Sequence, residues 1–397
     1  MPILSDRVTH MVESATLQMA RMARELKAKG VDIINLSLGE PDFDTPQHIK
    51  DALVVSLNKG QTKYTPVSGL IELREAISRK FKRDNNLDYP VEQILVSTGA
   101  KQAIADTCLA LLDAGDEVLL PAPYWVSYAS IAQLSRASWK EILAPVNQDF
   151  KVTASQLEQH ITPKTKLIIY SSPCNPTGSV FSKDELASIV AVLEKYPKIH
   201  VISDEIYEHI NFSGKHTSIA EFVSIKDRVI TVNGFSKGFA MTGWRLGYMA
   251  ASKEIVQACD KIQGQFTSGA CSFNQYAAIA ALEGDMSPTI AMKEAFMKRR
   301  DLVMKHLVDI PKWQCNKPDG AFYVFPKVSE YFGMSHGNTT IQNGNDLALY
   351  LLENAHVASV GGDSFGDNQC MRFSYATSEA NLNIAFERIK KALLKLK

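Results

Sequence analysis

Disulfides and clustered metal ligands are the first chemistries the sequence withholds. Its six cysteines, Cys108, Cys174, Cys259, Cys271, Cys315 and Cys370, are scattered, with no C-x-x-C pair and no histidine at ligand spacing. That excludes a disulfide framework or zinc ribbon, points to no metal site, and suits the reduced thiols of a cytoplasmic protein. Net charge is lacking too. The 43 basic and 43 acidic residues cancel to +0 at pH 7, so no global field draws the chain to nucleic acid or to an anionic membrane. No uncharged apolar run is long enough to span a bilayer. The opening stretch "MPILSDRVTHMVESATLQMARMARELKAKG" interleaves acids with bases, unlike a signal or transit peptide. Partners must therefore be recognised locally.

Common ligand-binding motifs are missing as well. G-x-G-x-x-G, G-x-x-x-x-G-K-[ST] and H-E-x-x-H do not occur, which removes the dinucleotide fold, the P-loop and the zincin helix. One S-x-x-K, from Ser56 to Lys59, closes an amphipathic helical stretch without an S-D-N or K-T-G companion, so penicillin-binding chemistry has no support.

What is present is an alternation. The short apolar runs "QILVS" (93–97), "EVLLP" (117–121), "KLIIYS" (166–171), "HVIS" (200–203), "RVITVN" (228–233) and "LGYMAA" (246–251) suit strands buried on both faces. Helical stretches lie among them. "TPQHIKDALVVSLNKG" has Thr45 as its cap, Pro46 in the first turn and Gly60 beyond the end. "GLIELREAISRKFKRD" places Leu70, Leu73, Ile77 and Phe81 on one face, and Ser182 with Glu185 forms a capping box. Such alternation predicts an α/β fold with a mostly parallel sheet covered on both sides. From about residue 285 the pattern changes to a long helix rich in Lys, Arg and Met, the strand candidates "GAFYVF" and "CMRFSYA", and a final helix from Ser378. The expected division is an N-terminal arm with part of a small domain (1–45), a large domain (46–285) and a small C-terminal domain (286–397).

Polar residues gather where these strands end, the place where an open α/β sheet binds ligands. In "STGAKQ" the backbone N–H groups of Gly99, Ala100 and Lys101 could hold a phosphate, although an ordinary glycine turn reads the same way. In "SSPCNPTG" two prolines fix Asn175, as they also do in plain turns. Asp204 closes "HVIS" with Tyr207 three residues on; a lone acid there is more often a cap. Lys237 lies in "VNGFSKGFAMTGWRLGY". From "SKG" alone a surface lysine is the better reading, but a buried lysine loses its charge readily, and a neutral amine attacks an aldehyde to form a Schiff base. Pyridoxal phosphate requires such a lysine, an acid opposite its ring nitrogen and donors for its phosphate. Lys237, Asp204, and the pair Ser236 and Arg245 supply all three.

The stretches "SLGEPDFDTP", "KYTPVSGLIELREAI", "PAPYWVSY", "SSPCNPTG", "SDEIYE", "NGFSKGFAMTGWRLGY" and "MRFSYATSEANL", in this order, resemble the class I pyridoxal-phosphate aminotransferases of fold type I. The resemblance covers nearly the whole chain, and within the family it is greatest to the bacterial aspartate aminotransferases of the Ib subgroup. It implies a large cofactor-binding domain with a mostly parallel seven-stranded sheet, a smaller α/β domain, and ping-pong transfer of the amino group of L-aspartate to 2-oxoglutarate. Lys237 would bond the cofactor aldehyde and later shuttle a proton. Asp204 would pair with the ring nitrogen, Tyr207 and Asn175 with the ring hydroxyl oxygen, and Trp125 would cover the ring face. The phosphate would rest on the backbone of Gly99, Ala100 and Lys101, on Ser236 and Arg245, and on Tyr64 from the partner in a homodimer.

The same resemblance assigns substrate groups. Arg372 and the Gly39 backbone, beside Trp125 and Asn175, would take the α-carboxylate. The stretch "GQFTSGACS" has no arginine for a second carboxylate, and Lys101, Ser14, Thr16 and Ser268 match the Ib positions that serve instead. Lys101 also fits a solvent-facing helix position. Members that accept prephenate carry a basic residue just before "SAT"; Val12 and Glu13 stand here, which argues against that substrate. An aromatic, prephenate or broad-specificity aminotransferase would share the cofactor machinery, and a β-lyase would share the fold. A non-catalytic, cofactor-binding regulator would attach a basic helix-turn-helix segment before the aminotransferase-like part, and no basic excess is present.

Overall fold

The computed structural model describes residues 3–9, 11 and 15–397; Val12, Glu13 and Ser14 lie outside them. Seven strands form one sheet, in the order Ile94–Ser97, Gly247–Ala250, Val229–Gly234, His200–Asp204, Thr165–Ser171, Glu117–Ala122 and Ser138–Leu143. The Gly247–Ala250 strand is antiparallel to both neighbours, and the other pairs are parallel. Side chains alternate between two cores, as a strand covered on both faces requires. Val201 and Val229 pack on one side with Leu119 and Ile168, while Ile202 and Ile230 pack on the other with Val118 and Ile169. Each such side chain contributes about 1.5–3 kcal/mol of burial.

The six apolar runs became six of these strands. The seventh, "SWKEIL", has no apolar run because it is an edge strand with every residue but Ile142 exposed. Water on one side removes the demand for apolar residues that reveals a central strand.

Further along the chain, the expected "GAFYVF" and "CMRFSYA" strands shorten to Tyr323–Val324 and Met371–Ser374, which with Val360–Gly361 form a small antiparallel sheet. Ile34–Asn35 pairs in parallel with Val357–Ala358. The N-terminal segment thus returns to a core that holds Leu36 together with Phe296, Phe322, Phe373 and Phe386. The long helix Ser287–Val308 and the final helix Glu379–Leu393, capped by Ser378, cover it. Among the described residues no helix is long and apolar enough to cross a membrane.

Local signals held in part. The Ser182–Glu185 capping box forms. Thr45, expected as a cap, is not one: Pro46 holds that position without a side-chain bond. The Thr45 hydroxyl instead donates to the Ala240 carbonyl (2.8 Å) and accepts from Trp244 Nε1 (3.1 Å). It ties the entry of this helix to the loop after Lys237, because a tertiary partner satisfied it better than the helix end.

A buried charge cluster backs the sheet. Lys80, from helix Ile71–Asn85, pairs with Glu208 in full burial, and Asn85 bonds both. Glu205 accepts from Ser203 and Ser218 and lies 3.0 Å from His216 Nε2. Burial acts against a charged carboxyl at Glu208, but Lys80, with His209 and His216, overrides it and holds the group well below its ordinary range. Lys80→Ala should leave an uncompensated buried carboxylate and remove about 3–5 kcal/mol of stability. The midpoint of urea unfolding measures this, and replacing both partners by Met and Leu should recover most of the loss.

Candidate functional site

A cleft of about 660 Å³ opens at the C-terminal ends of the parallel strands. The turn after Val229–Gly234 delivers Ser236 and Lys237 to it. Glycine is needed next to the lysine, since a Cβ on Gly238 would come within 2.7 Å of the His209 ring. Lys237 Nζ donates to the Gly39 carbonyl (2.5 Å) and lies 5.8 and 5.9 Å from the ring centres of Tyr207 and Phe322. Burial lowers this amine to about 8, helped by Arg372 and Arg245 and opposed by Glu40 and Asp204.

Asp204 ends its strand buried beneath the cleft. Tyr128 Oη donates to its Oδ2 (2.7 Å), and the Ile206 N–H approaches Oδ1 (3.3 Å). Burial raises the carboxyl to about 6 against the pull of these two donors. Tyr207 also faces the cleft and shares a 2.8 Å hydrogen bond with the Tyr323 hydroxyl.

Arg372, on the Met371–Ser374 strand, is 2% exposed. Its Nη1 donates to Asn175 Oδ1 (2.9 Å), and its Nη2 to the Ser37 carbonyl (2.7 Å) and, at 3.4 Å, to Thr16 Oγ1. The guanidinium lies 4.6 Å from the Tyr323 ring centre. Its Nε is buried without an acceptor, a donor left for a ligand. Asn175 commits its oxygen to Arg372 and keeps its amide N–H groups for the cleft.

The fourth corner is the start of helix Ala100–Leu111. Gly99 caps it at φ +83; its own N–H, expected to face a phosphate, instead bonds the Ser97 carbonyl and Gln102 N–H bonds the Gly99 carbonyl, which leaves the Ala100 and Lys101 N–H groups for an anion. A Cβ on Gly99 would sit 2.4 Å from Arg245 Nη2; the guanidinium lies directly over the turn. Lys101 Nζ rests 4.8 Å from the Trp125 ring centre. Burial and Arg245 hold that amine below its usual value.

Thus Thr16, Gly39, Ala100, Lys101, Trp125, Asn175, Asp204, Tyr207, Ser236, Lys237, Arg245 and Arg372 line one cavity, with Gly99 beneath Arg245. Two expected residues do not reach it. Tyr64 is 95% exposed, and Ser268 sits in a turn at φ +55 with its N–H on the Gln263 carbonyl. Ser14 is outside the described residues. The sequence reading missed Tyr128, Tyr323, Ser37 and Glu40. Each lies in a stretch already singled out, "SLGEPDFDTP", "PAPYWVSY" or "GAFYVF", but nothing in those stretches marks it individually.

The cavity gathers five cations, Arg24, Lys101, Lys237, Arg245 and Arg372, against the acids Glu40 and Asp204. It can bind several anionic groups at separate points around a lysine whose amine is partly neutral near pH 8. Away from the cleft, Glu205, Glu208 and His216 hold three ligand atoms within 4.8 Å of one another, the single such grouping among the described residues. Lys80 already supplies a cation there.

These residues fit a phosphorylated aldehyde cofactor: an anion cradle at the Gly99 turn and Arg245, a lysine whose amine burial has made less basic, and a buried acid in the same cleft. The chain belongs to the aminotransferase class I and II family, whose model matches residues 31–389. It is a pyridoxal-phosphate-dependent transaminase of fold type I. It is 47% identical to the bifunctional aspartate aminotransferase and glutamate/aspartate-prephenate aminotransferase of Petunia hybrida, over 99% of this chain and 83% of that protein. The solved aspartate aminotransferase of Rhizobium meliloti superposes with a TM-score of 0.96 at 39% identity, covering 99% of each chain. The Thermus thermophilus aspartate aminotransferase with maleate gives 0.92 at 38%, covering 99% of this chain and all of that one.

The lowered pKa of Lys237 is measurable without cofactor. In the apoprotein, acylation of Lys237 followed by mass spectrometry across pH should rise with a midpoint near 8, while exposed lysines follow near 10.4. A Lys237 midpoint above 10 would contradict the desolvation argument.

Proposed function

We propose that the enzyme transfers the amino group of L-aspartate to 2-oxoglutarate, yielding oxaloacetate and L-glutamate. The observation that carries this reading is the pair of cations set apart in one cleft: Arg372, immobilised by Asn175 and Ser37, and Lys101, lying over Trp125. A dicarboxylate presents two anions to such a pair. The relatives' names, and the maleate of the Thermus thermophilus structure, are in keeping with it.

When bound, pyridoxal phosphate supplies an aldehyde carbon that takes up the amino group and a ring that accepts electron density from the substrate's Cα. The residues would do the rest. Ala100 and Lys101 at the Gly99 turn, with Ser236 and Arg245, hold the phosphate, and Trp125 covers the ring. Asp204 keeps a negative charge at the ring nitrogen, while Asn175 and Tyr207 donate to the ring hydroxyl oxygen. Arg372, with the Gly39 backbone, orients the α-carboxylate. Lys237 would hold the cofactor's aldehyde carbon and, as a free amine with a pKa near 8, could take up the Cα proton and give it back. Both half-reactions use this site, so ping-pong kinetics follow.

We further propose a cytoplasmic homodimer in which Tyr64 and Ser268 serve the partner's cleft. Their position outside their own cleft, and the 95% exposure of Tyr64, support the sharing. The divisions at 45/46 and 285/286 are proposed as well, supported by the separate cores of the sheet and of the arm with the C-terminal part.

A second reading adds prephenate as an acceptor, supported by the Petunia relative's name. Val12 and Glu13 weigh against it, and prephenate offered to the aminated enzyme decides between the two.

Mixing holoenzyme with single amino acids tests the main reading: aspartate and glutamate should convert the cofactor to its amine, and 2-oxoglutarate should reverse this. Conversion by phenylalanine alone would move the enzyme to the aromatic class, and no conversion by any amino acid would favour a regulator. A charged hydrogen bond contributes roughly 1.5–3 kcal/mol. Lys101→Ala should therefore lower kcat/KM for aspartate about ten- to a hundredfold and spare alanine. Equal losses for both would mean that Lys101 serves the phosphate.

A further inference from the structure

We propose that Tyr128 is a positioning residue, a neutral donor that keeps Asp204 ionised and aimed at the cofactor ring while leaving its charge unspent. The proposal rests on the reading that Asp204 pairs with the ring nitrogen.

Tyr128 is fully buried on helix Ser127–Leu134, and its hydroxyl donates to Asp204 Oδ2 at 2.7 Å. The phenol cannot wander. Its ring meets Trp125 edge-on at 5.5 Å and stacks on Tyr124 at 6.5 Å, and its backbone N–H bonds the Trp125 carbonyl. The turn into this helix therefore carries both the proposed ring-covering residue, Trp125, and the donor to the acid, Tyr128.

The groups facing Asp204 explain why a tyrosine suits this place. Glu205 on its own segment disfavours its charge, Lys237 favours it, and Tyr207 lies beside it. Cys174, from the turn after Thr165–Ser171, is a buried thiol. A lysine or arginine at position 128 would neutralise Asp204 and compete with a protonated ring nitrogen. A phenol stabilises the carboxylate and adds no charge. Burial and Asp204 hold the Tyr128 hydroxyl well above its ordinary range, so it remains a donor at every working pH.

The test compares wild type, Tyr128→Phe and a protein with 3-fluorotyrosine at position 128, whose more acidic phenol donates more strongly and whose shape preserves the fold. Asp204 is titrated in the apoprotein by carboxyl-labelled aspartate NMR, its signal assigned by loss in Asp204→Asn. The Phe variant should raise the Asp204 midpoint by about one pH unit, and fluorotyrosine should lower it. In the holoenzyme the pH profile of cofactor absorbance should shift in the same order. An Asp204 midpoint unmoved in both proteins would overturn the proposal. A shift in the apoprotein with an unmoved holoenzyme profile would instead overturn the pairing of Asp204 with the ring.

Discussion

The segment from Asp204 to Glu208 places three carboxylates within five residues and buries them all. Much of the surrounding structure answers that constraint. Glu205 and Glu208 turn behind the sheet, where Lys80 meets Glu208 as a cation, His216 lies 3.0 Å from Glu205, and Asn85, Ser203 and Ser218 act as donors. Burial disfavours a charged imidazole at His216, but the Glu205 carboxylate overrides it and raises the group. Asp204 turns into the cleft, where its hydrogen bonds come from a phenol and a backbone N–H. Charge is cancelled on one side of the strand and preserved on the other. Breaking the rear cluster would leave an uncompensated ion and disturb the backbone that carries Asp204 and Tyr207.

Desolvation then tunes the front. It raises Asp204 to about 6 and lowers Lys237 to about 8. Both groups thus titrate close to neutrality, and each favours the charge of the other. The sign for stability follows from the first shift. A carboxyl raised in the folded state stabilises most below its unfolded value, near 3.9, and loses that contribution as pH rises through 6. At neutral pH the fold therefore holds the ionised Asp204 at a cost that a cation beside it offsets.

The sequence was legible where one physical demand acts on a whole segment. Strands buried on both faces must be apolar, so Ile94–Ser97 and His200–Asp204 stood out, whereas the exposed edge strand Ser138–Leu143 did not. Lys237, Asp204 and Asn175 were legible because parallel strands deliver their following turns to one edge. Tyr128 and Tyr323 act through partners far along the chain, Asp204 and Tyr207, and no local pattern records such a pairing. Thr45 shows the same limit: its bonds to Ala240 and Trp244 span nearly two hundred residues. Tyr64 and Ser268 had been singled out by resemblance, and one chain gives them no cleft to enter.

In the proposed reading, substrate recognition involves the N-terminal helix as well as the residues at the strand ends. Arg372 joins three segments: Asn175 from a strand-end turn, Ser37 from the arm, and Thr16 from helix Ala15–Ala28. The bonds to Asn175 and Ser37 are 2.9 and 2.7 Å, but that to Thr16 is 3.4 Å and so the weakest. A carboxylate arriving at this guanidinium would compete first with Thr16, on a helix whose Met19 and Ala23 are buried in the core around Phe296. That helix also presents Leu17, Ala20 and Arg24 to the cleft. Under the proposed assignment of Arg372, a bound α-carboxylate would meet this wall at the Thr16 hydrogen bond. In the proposed reading Lys101 stands on the helix Ala100–Leu111 and Thr16 on the helix Ala15–Ala28, so recognition of a second carboxylate would draw on both.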